Sequence, residues 1–278
     1  MSSTTSTSTA ARSSTRSSSW NAFFALLLRD LAVLRKEIGL FLGRTVIQPL
    51  LLIFVFAYVF PKIGQAIGGA GGAARFSTLL VGGVIASSMI FQGVQAVALP
   101  LVQDFGYTRE IEDRVLAPMP VWAVAAEKVA GGAFQALLAS LVVFPLALFI
   151  PANPVHLSVH WLYLITLLPL AAVMSAAFGL TIGTRVQPRQ VPLIFSLLVI
   201  PMTFLGAVYY PWRTLTPLPW LKVAVLVNPL IYMSEGMRVA LTNGVPHMPI
   251  VAIYFALIGF TVAFLKLGID GFKKRVLS

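Results

Sequence analysis

The sequence predicts an all-α integral membrane protein with six transmembrane helices, an N-terminal amphipathic interfacial helix and a re-entrant outer helical segment between spans five and six. Two observations predict this class. Hydrophobic residues make up 58% of the 278 residues and charged residues only 10%, whereas soluble domains carry about 25% charged residues. The charges also flank long apolar runs instead of forming one polar domain. Lipid must therefore be part of the solvent of this chain.

Charge and residue types exclude several functions. A net charge of +11 is expected of a membrane protein with basic cytoplasmic loops, so we expect no nucleic-acid partner. The chain has no cysteine and only scattered histidines, which predicts no disulfide and no metal centre. It also lacks a GxxxxGK[ST] phosphate loop and a GxSxG elbow. We therefore expect this chain to bind no cofactor and to have no catalytic residues.

Two segments precede the spans. Residues 1–19 are almost all Ser and Thr, which predicts a disordered tail. Residues 20–40 are predicted to form an amphipathic helix that lies on the membrane, because charges face away from an apolar stripe with helical spacing. That stripe consists of Phe23, Leu27, Leu31, Leu34 and Ile38. Residues 41–278 are predicted to form the transmembrane domain.

Six apolar segments are each long enough to cross a hydrocarbon core of about 30 Å at about 1.5 Å per residue. They are predicted at 44–61, 76–101, 122–150, 161–184, 190–210 and 249–270. The distribution of Lys and Arg places both termini in the cytoplasm. Of the 20 Lys and Arg residues, the ones left outside are Lys62, Arg75, Arg213, Lys222 and Arg238.

The interior of the spans is rich in small residues and poor in charge. Gly82 and Gly83 in the second span, and the GxxxG pair Gly179 and Gly183 in the fourth, allow close helix contact. Packing within the chain is favoured over dimerisation at these positions. No acidic residue is predicted at mid-membrane, where proton- or sodium-coupled carriers bind their ion. The sequence therefore favours energy supplied from outside the chain.

The segment 211–248 is too apolar for an exposed loop, yet Pro217, Pro219 and Pro229 divide it into pieces too short to span. We predict two short helices that enter from the outer face and break at Asn228–Pro229. The aromatic residues that suit the water–lipid boundary are Tyr209, Tyr210, Trp212, Trp220 and Tyr232. The alternative, a seventh kinked span, would place the basic C-terminus outside, against the charge rule.

The densest charge cluster lies in the predicted cytoplasmic connection between spans two and three. Residues 109–117 can form a short helix in which Glu110 and Arg114 are i,i+4 neighbours. Pro118 ends this helix. Docking of a soluble partner and a solvated loop with internal ion pairs explain the cluster equally well.

Two stretches resemble the membrane permeases of type-2 ABC exporters. The first is REIEDRVLAPMPVWAVAAEK (109–128), which is similar to the family's cytoplasmic loop between spans two and three. The second (178–241) has a set of short motifs in the family's order and spacing. These are Pro201–Gly206, Tyr210–Pro211, Leu218–Trp220, Asn228–Leu230 and Arg238. The resemblance covers residues 20–272, and the short loops 61–75 and 151–160 lack the extracellular domains of some relatives.

The resemblance implies a multi-pass, non-catalytic subunit in the bacterial cytoplasmic (inner) membrane. Two permease chains, expected to be a homodimer, would pair with ATPase subunits that bind ATP and Mg, and would export an amphipathic or lipid-linked glycan, lipid or drug. The implied ATPase coupling helix comprises Arg109, Glu110, Glu112, Asp113, Arg114 and Pro118. The implied outer gate or exit path comprises Phe204, Tyr209, Tyr210, Trp212, Asn228, Pro229, Glu235 and Arg238.

Two other classes of protein stay open. A membrane scaffold or assembly protein without an ATPase partner fits the composition. A membrane-embedded glycan or acyl transferase would need acidic or histidine residues that converge at one membrane face. The cytoplasmic connection, the most acidic stretch of the chain, resembles a docking helix instead.

Overall fold

The computed structural model describes residues 24–65, 72–105, 120–187, 190–194, 196–197 and 200–277. Within these ranges the chain is helical with short connections and contains no strand, which confirms the all-α prediction. The predicted Ser/Thr tail lies outside the described residues. So do the coupling-helix residues Arg109, Glu110, Glu112, Asp113, Arg114 and Pro118.

The helices of the described residues are α1 (24–36), α2 (Ile38–Lys62), α3 (Gly72–Gln103), α4 (Val121–Phe149), α5 (Trp161–Arg185), α6 (Ile200–Leu205), α7 (Pro219–Ala224), α8 (Pro229–Leu241) and α9 (Ile250–Leu277). Single helical turns lie at Val191–Ile194, Trp212–Leu215 and Val225–Val227. Helix α2 contains a π-helical turn at Phe54–Val59.

Five helices in the described part of the chain are long and apolar enough to cross a membrane, namely α2, α3, α4, α5 and α9. They coincide with five of the six predicted spans. The predicted fifth span, 190–210, holds only short helical pieces where the structure describes it. The structure therefore shows five candidate spans among the described residues.

Helix α3 lies at the centre of the bundle. It is the most buried of the five spans and contacts α4, α5 and α8. Glycines on α5 permit this contact, because a Cβ on Gly179 would lie 2.9 Å from Val94 Cα and one on Gly183 would lie 3.0 Å from Ala98 Cα. The predicted packing of this GxxxG pair within the chain is confirmed.

The two ends of the bundle contain different segments of the chain. The α1 end contains α1 and the ends of α3 and α4 at Gln103 and Val121. The α8 end contains α8 and the residues of the outer segment before it. Helix α1 stops at residue 36, and the last residues of the predicted 20–40 helix belong to α2. The exposed residues of α1 include Phe24, Leu28 and Leu31 but also Arg29, Arg35 and Lys36.

Candidate functional site

The start of α8 is built by Asn228 and Pro229. Pro229 occupies the first turn, where a missing N–H costs no helical hydrogen bond. Asn228 Oδ1 accepts a hydrogen bond from the Leu230 N–H at 3.0 Å and so caps the helix. Its Nδ2 donates to the Met202 carbonyl of α6 at 2.8 Å. The predicted break at Asn228–Pro229 is confirmed, and Asn228 ties α8 to α6.

Glu235 and Arg238 form an ion pair inside α8, and every residue of this helix is buried. Arg238 Nη1 donates to Glu235 Oε1 at 2.9 Å, and both side chains are 0% exposed. The carboxylate of Glu235 also accepts the Trp212 N–H at 2.8 Å and the Met248 N–H at 2.7 Å. Charge-assisted hydrogen bonds of this kind are strong. Glu235 therefore joins the chain before α8 to the chain after it.

Arg238 also holds the turn that precedes the outer segment. Its Nη2 donates to the Ala207 carbonyl and, at 3.1 Å, to the Val208 carbonyl. Ala207 has a φ of 53°, and the left-handed region is uncommon for a residue other than glycine. Two successive carbonyls that converge on one guanidinium explain how this conformation is held.

Two glycines let the outer segment lie directly on α3. A Cβ on Gly83 would lie 2.7 Å from Val208 Cα, and one on Gly82 would lie 3.1 Å from Arg238 Cγ. A side chain at either position would push the turn or α8 away from α3. The close contact predicted at these glycines is present, and its partner is within the chain.

Aromatic residues of the outer segment meet α2 at its π-helical turn. The ring centroids of Phe56 and Tyr209 are 5.2 Å apart, and Phe204 stacks on Tyr209 at 5.9 Å. Tyr210 donates its hydroxyl hydrogen to the Phe204 carbonyl at 3.2 Å. Phe56, Phe204 and Tyr209 line a cavity of about 310 Å³. A π-helical turn of this kind is frequent at functional sites.

The structure places the predicted outer-site residues in two groups. Phe204, Tyr209 and Tyr210 lie beside α2, whereas Asn228, Pro229, Glu235 and Arg238 lie at the start of α8 or within it. Trp212 connects the groups through its N–H to Glu235, and its indole Nε1 donates to the Lys222 carbonyl at 3.0 Å. Because Glu235 and Arg238 are fully buried, they position the segment, while Phe204 and Tyr209 line the cavity.

The α1 end carries a second charged cluster. Lys128 Nζ of α4 lies 2.6 Å from Asp30 Oδ2 of α1 and 3.5 Å from Glu127 Oε2. Burial raises the pKa of the Asp30 carboxyl, but the charges and hydrogen bonds of Lys128 and Arg29 outweigh it and hold that pKa below its ordinary value of 3.8. Asp30 is therefore ionised at neutral pH and ties α1 to α4.

A cavity of about 590 Å³ opens beside this cluster. Its polar lining includes Arg29, Asp30, Arg44, Gln95, Asp104 and Lys128. The connection 106–119, which contains the predicted coupling helix, begins just after Asp104 and returns just before α4. No local sequence pattern pairs Asp30 with Lys128, although Lys128 is the last residue of the stretch 109–128 that resembles the family's cytoplasmic loop.

In the part of the chain that the structure describes, no group of three or more His, Asp or Glu residues could hold a metal ion. Five long apolar helices, three of which pack on the buried, ion-paired α8, place the chain among polytopic membrane proteins. The chain belongs to the ABC-2 type transporter family, whose model matches residues 21–242. It is thus a permease of the ABC transporter class, as the two sequence stretches indicated.

Named relatives agree with this family. The chain is 30% identical over 236 residues to the inner membrane transport permease YadH of Escherichia coli K12, an alignment that covers 82% of this chain and 88% of the relative. The YadH proteins of Escherichia coli O157:H7 and Shigella flexneri match to the same extent.

Proposed function

We propose that this chain is the membrane-spanning subunit of an ATP-driven exporter in the bacterial cytoplasmic (inner) membrane. Two copies pair and associate with separate ATPase subunits, which bind ATP and Mg. The cargo is an amphipathic or lipid-linked glycan, lipid or drug, and this chain supplies its path without catalysing a reaction. The name of the YadH relatives, inner membrane transport permease, supports the proposed location and the proposed role.

The Asp30–Lys128 contact at the base of the connection 106–119 is the observation that carries this proposal. That connection joins α3 to α4, and the 2.6 Å ion pair joins α4 to α1. A soluble ATPase that moved a short coupling helix in 106–119 would therefore move α1, α3 and α4 together. In our proposal Glu110, Glu112, Asp113 and Arg114 dock on the ATPase, and α1 forms a second contact beside it.

Helix α3 carries this movement to the other end of the molecule. Its 32 residues extend about 48 Å at about 1.5 Å per residue. At the α8 end, Gly82 and Gly83 bring α3 into direct contact with α8 and with the turn at Val208. Tilting of α3 would thus shift Tyr209 and Phe204 against α2. We propose that this shift opens the outer exit between the two copies.

We further propose six spans, with both termini in the cytoplasm and a re-entrant α7–α8 segment. An even number of spans agrees with the distribution of Lys and Arg. Arg238 contacts α3 at Gly82, about 15 Å along that helix from Gly72. This depth supports insertion of α8 into the membrane from the outer face. A charged pair at such depth is tolerated because it is buried in protein.

Co-purification in mild detergent tests the exporter proposal. The tagged chain is extracted, its partners are identified by mass spectrometry, and the eluate is assayed for ATP hydrolysis. A soluble partner with phosphate-loop and ABC signature motifs, together with ATPase activity, is the expected result. A chain that purifies without an ATPase even after crosslinking contradicts the proposal and favours the scaffold, and group transfer by the purified chain alone favours the transferase.

Substitutions in the connection test the coupling role in the same complex. We expect Glu112→Ala and Arg114→Ala to lower transport and cargo-stimulated ATP hydrolysis while membrane insertion is unchanged. Lys273→Ala, which removes an exposed charge near the end of α9, is the matched control and should behave as wild type. Wild-type coupling in both connection variants would exclude this assignment.

A further inference from the structure

Three cavities follow one another along the face between α2 and α3. The 590 Å³ cavity at the α1 end shares Arg44 and Gln95 with a constriction of about 30 Å³. The constriction in turn shares Gln48 and Phe91 with the 310 Å³ aromatic cavity at the α8 end. The shared lining residues place the three cavities next to one another, and we call this row of cavities the track.

Amide side chains line the narrow part of the track. Gln48 lies on α2, and Gln92 and Gln95 lie on α3. Measured from the nearer end of its predicted span at about 1.5 Å per residue, Gln48 lies about 6 Å inside the membrane, Gln92 about 14 Å and Gln95 about 9 Å. Each amide offers two N–H donors and an acceptor oxygen. Polar groups at this depth are costly unless they have partners.

Gln92 differs from the other two glutamines. It is 3% exposed, its Oε1 accepts from Thr45 Oγ1 of α2 at 3.3 Å, and its Nε2 donates to Gln135 Oε1 of α4 at 3.2 Å. Gln92 therefore fixes three helices around the constriction. The amides of Gln48 and Gln95 have no hydrogen-bond partner among the described residues, and both reach the track. Their hydrogen-bonding capacity is available to an occupant.

The charge of the lining limits what that occupant can be. Among the described residues, the constriction and the aromatic cavity contain no acidic side chain and no cation except Arg44, at the α1-end entrance. Beyond Arg44 a charged group would leave water without a counter-charge, which is unfavourable in a low-dielectric site. Hydroxyl groups donate and accept hydrogen bonds, as amides do.

We propose that Gln48 and Gln95 bind the polar head of the cargo and that this head is uncharged and rich in hydroxyl groups, as a sugar is. This assignment rests on the proposed export function, whose cargo class it narrows. The head enters from the 590 Å³ cavity and passes the amides when α2 separates from α3. It leaves along the aromatic cavity at Tyr209 and Phe204. Gln92 is a positioning residue that holds the helices around the constriction.

The absence of cysteine from the chain allows a direct test in membrane vesicles that contain the full chain. Single variants Gln48→Cys and Gln95→Cys are treated with uncharged hydroxyethyl methanethiosulfonate. Ile47→Cys is the control, because Ile47 adjoins Gln48 and is exposed as Gln48 is, but it does not line the track. We expect both glutamine positions to react at least about tenfold faster than Ile47→Cys, which corresponds to about 1.4 kcal/mol.

The head-group class is tested with amphiphiles that share one tail, at concentrations that leave the vesicles intact. We expect octyl glucoside to slow the labelling of Gln95→Cys about tenfold, or about 1.4 kcal/mol, whereas octyl sulfate and octyltrimethylammonium have little effect. Adding Gln48→Leu to the Gln95→Cys variant should abolish the protection by octyl glucoside, since the remaining amide that binds the sugar head is then lost. This result would support the proposal without any ATPase in the vesicles.

Four outcomes would overturn the proposal that Gln48 and Gln95 bind an uncharged, hydroxyl-rich head. No reaction at either glutamine position would mean that the track is closed to water. A disulfide between two copies of Gln48→Cys without labelling would mean that a second copy fills the face. Stronger protection by octyl sulfate would indicate an anionic head at Arg44, and equal protection by all three amphiphiles would indicate tail binding alone. None of these outcomes depends on whether an ATPase co-purifies. Failure of the cargo-head proposal can therefore be distinguished from failure of the exporter proposal.

Discussion

The guanidinium of Arg238 joins α8 to the turn at Ala207 and Val208. We predict that Arg238→Met lowers stability by about 3–5 kcal/mol, because Glu235 is left buried without its cation. The melting temperature in detergent measures this loss. Glu235→Leu combined with Arg238→Met should recover only part of it, since the Trp212 and Met248 N–H groups also lose their acceptor.

Arg213 provides the matched control for that prediction. It lies in the same outer segment but is exposed, so Arg213→Met should change the melting temperature little. If the Arg238→Met protein has the melting temperature of the wild type, the buried pair does not stabilise the outer segment. Equal losses in the two variants would point to a general effect of charge instead.

A second prediction concerns the contact of Gly83 with Val208. Gly83→Ala should destabilise the protein by about 1–3 kcal/mol, the usual cost of overpacking, because its Cβ would lie 2.7 Å from Val208 Cα. Gly131→Ala is the control, since nothing lies within 4 Å of a Cβ there, and it should be neutral or stabilising by up to about 1 kcal/mol. The melting temperatures of both variants in detergent measure these effects. Equal melting temperatures for Gly83→Ala and Gly131→Ala would refute the close contact.

At the residue scale the sequence did not predict how the charged groups pair. Glu235 and Arg238 were predicted site residues, and their spacing of three on a helix allows an ion pair. Their complete burial could not be predicted, because it depends on the packing of α3, α5 and α9 around α8. The Asp30–Lys128 pair joins residues 98 positions apart, and no local pattern reports such a contact.

At the scale of elements, the attachment of α1 depends on the ionisation of Asp30. Its folded-state pKa is below 3.8, so the Lys128 contact stabilises the folded state above that pH and is lost as the pH falls through the folded value. We predict that α1 stays attached between about pH 5 and pH 8 and detaches in stronger acid. Asp30→Asn should enlarge the detached fraction about tenfold at neutral pH, within the range for a hydrogen bond to a charged group.

Spin labels on cysteines at Leu28 and Trp122 measure this attachment as the distance between α1 and the start of α4. Both side chains are exposed, so the labels should not disturb packing. Glu37→Gln removes an acidic charge from the same region without touching Lys128 and is the control. If Asp30→Asn and Glu37→Gln give the same distances as wild type at neutral pH, the ion pair does not hold α1.

The elements that the sequence predicted well are those defined by composition alone. Long apolar runs predicted α2, α3, α4, α5 and α9, because a span must satisfy its backbone hydrogen bonds within one helix. In the segment 190–210 the described residues are helical at Val191–Ile194 and Ile200–Leu205. The break at Asn228–Pro229 was predictable, because it combines a capping residue with a first-turn proline.

At the scale of the whole molecule, the two sites lie at opposite ends of α3. The ion pair at Asp30 fixes α1 and α4 beside one end, and Gly82 and Gly83 fix α8 and its preceding turn beside the other. Coupling between distant sites requires a rigid element that both sites bias. The most buried helix of the bundle meets that requirement, and the amide-lined track lies along its side toward α2. One movement of α3 relative to α2 would therefore change both the proposed docking end and the proposed exit.

The orientation of the whole chain gives the last prediction. With six spans, both ends of the chain lie in the cytoplasm, whereas five spans would place them on opposite sides. Single cysteines at Ser3, Thr216 and Lys273 report the two ends and the outer segment, because the chain has no other thiol. In intact spheroplasts a membrane-impermeant maleimide should label Thr216→Cys alone, and permeabilisation should expose the other two. Labelling of Lys273→Cys but not Ser3→Cys in intact spheroplasts would instead mean that 190–210 does not cross the membrane, and the re-entrant position of α8 would fail with it.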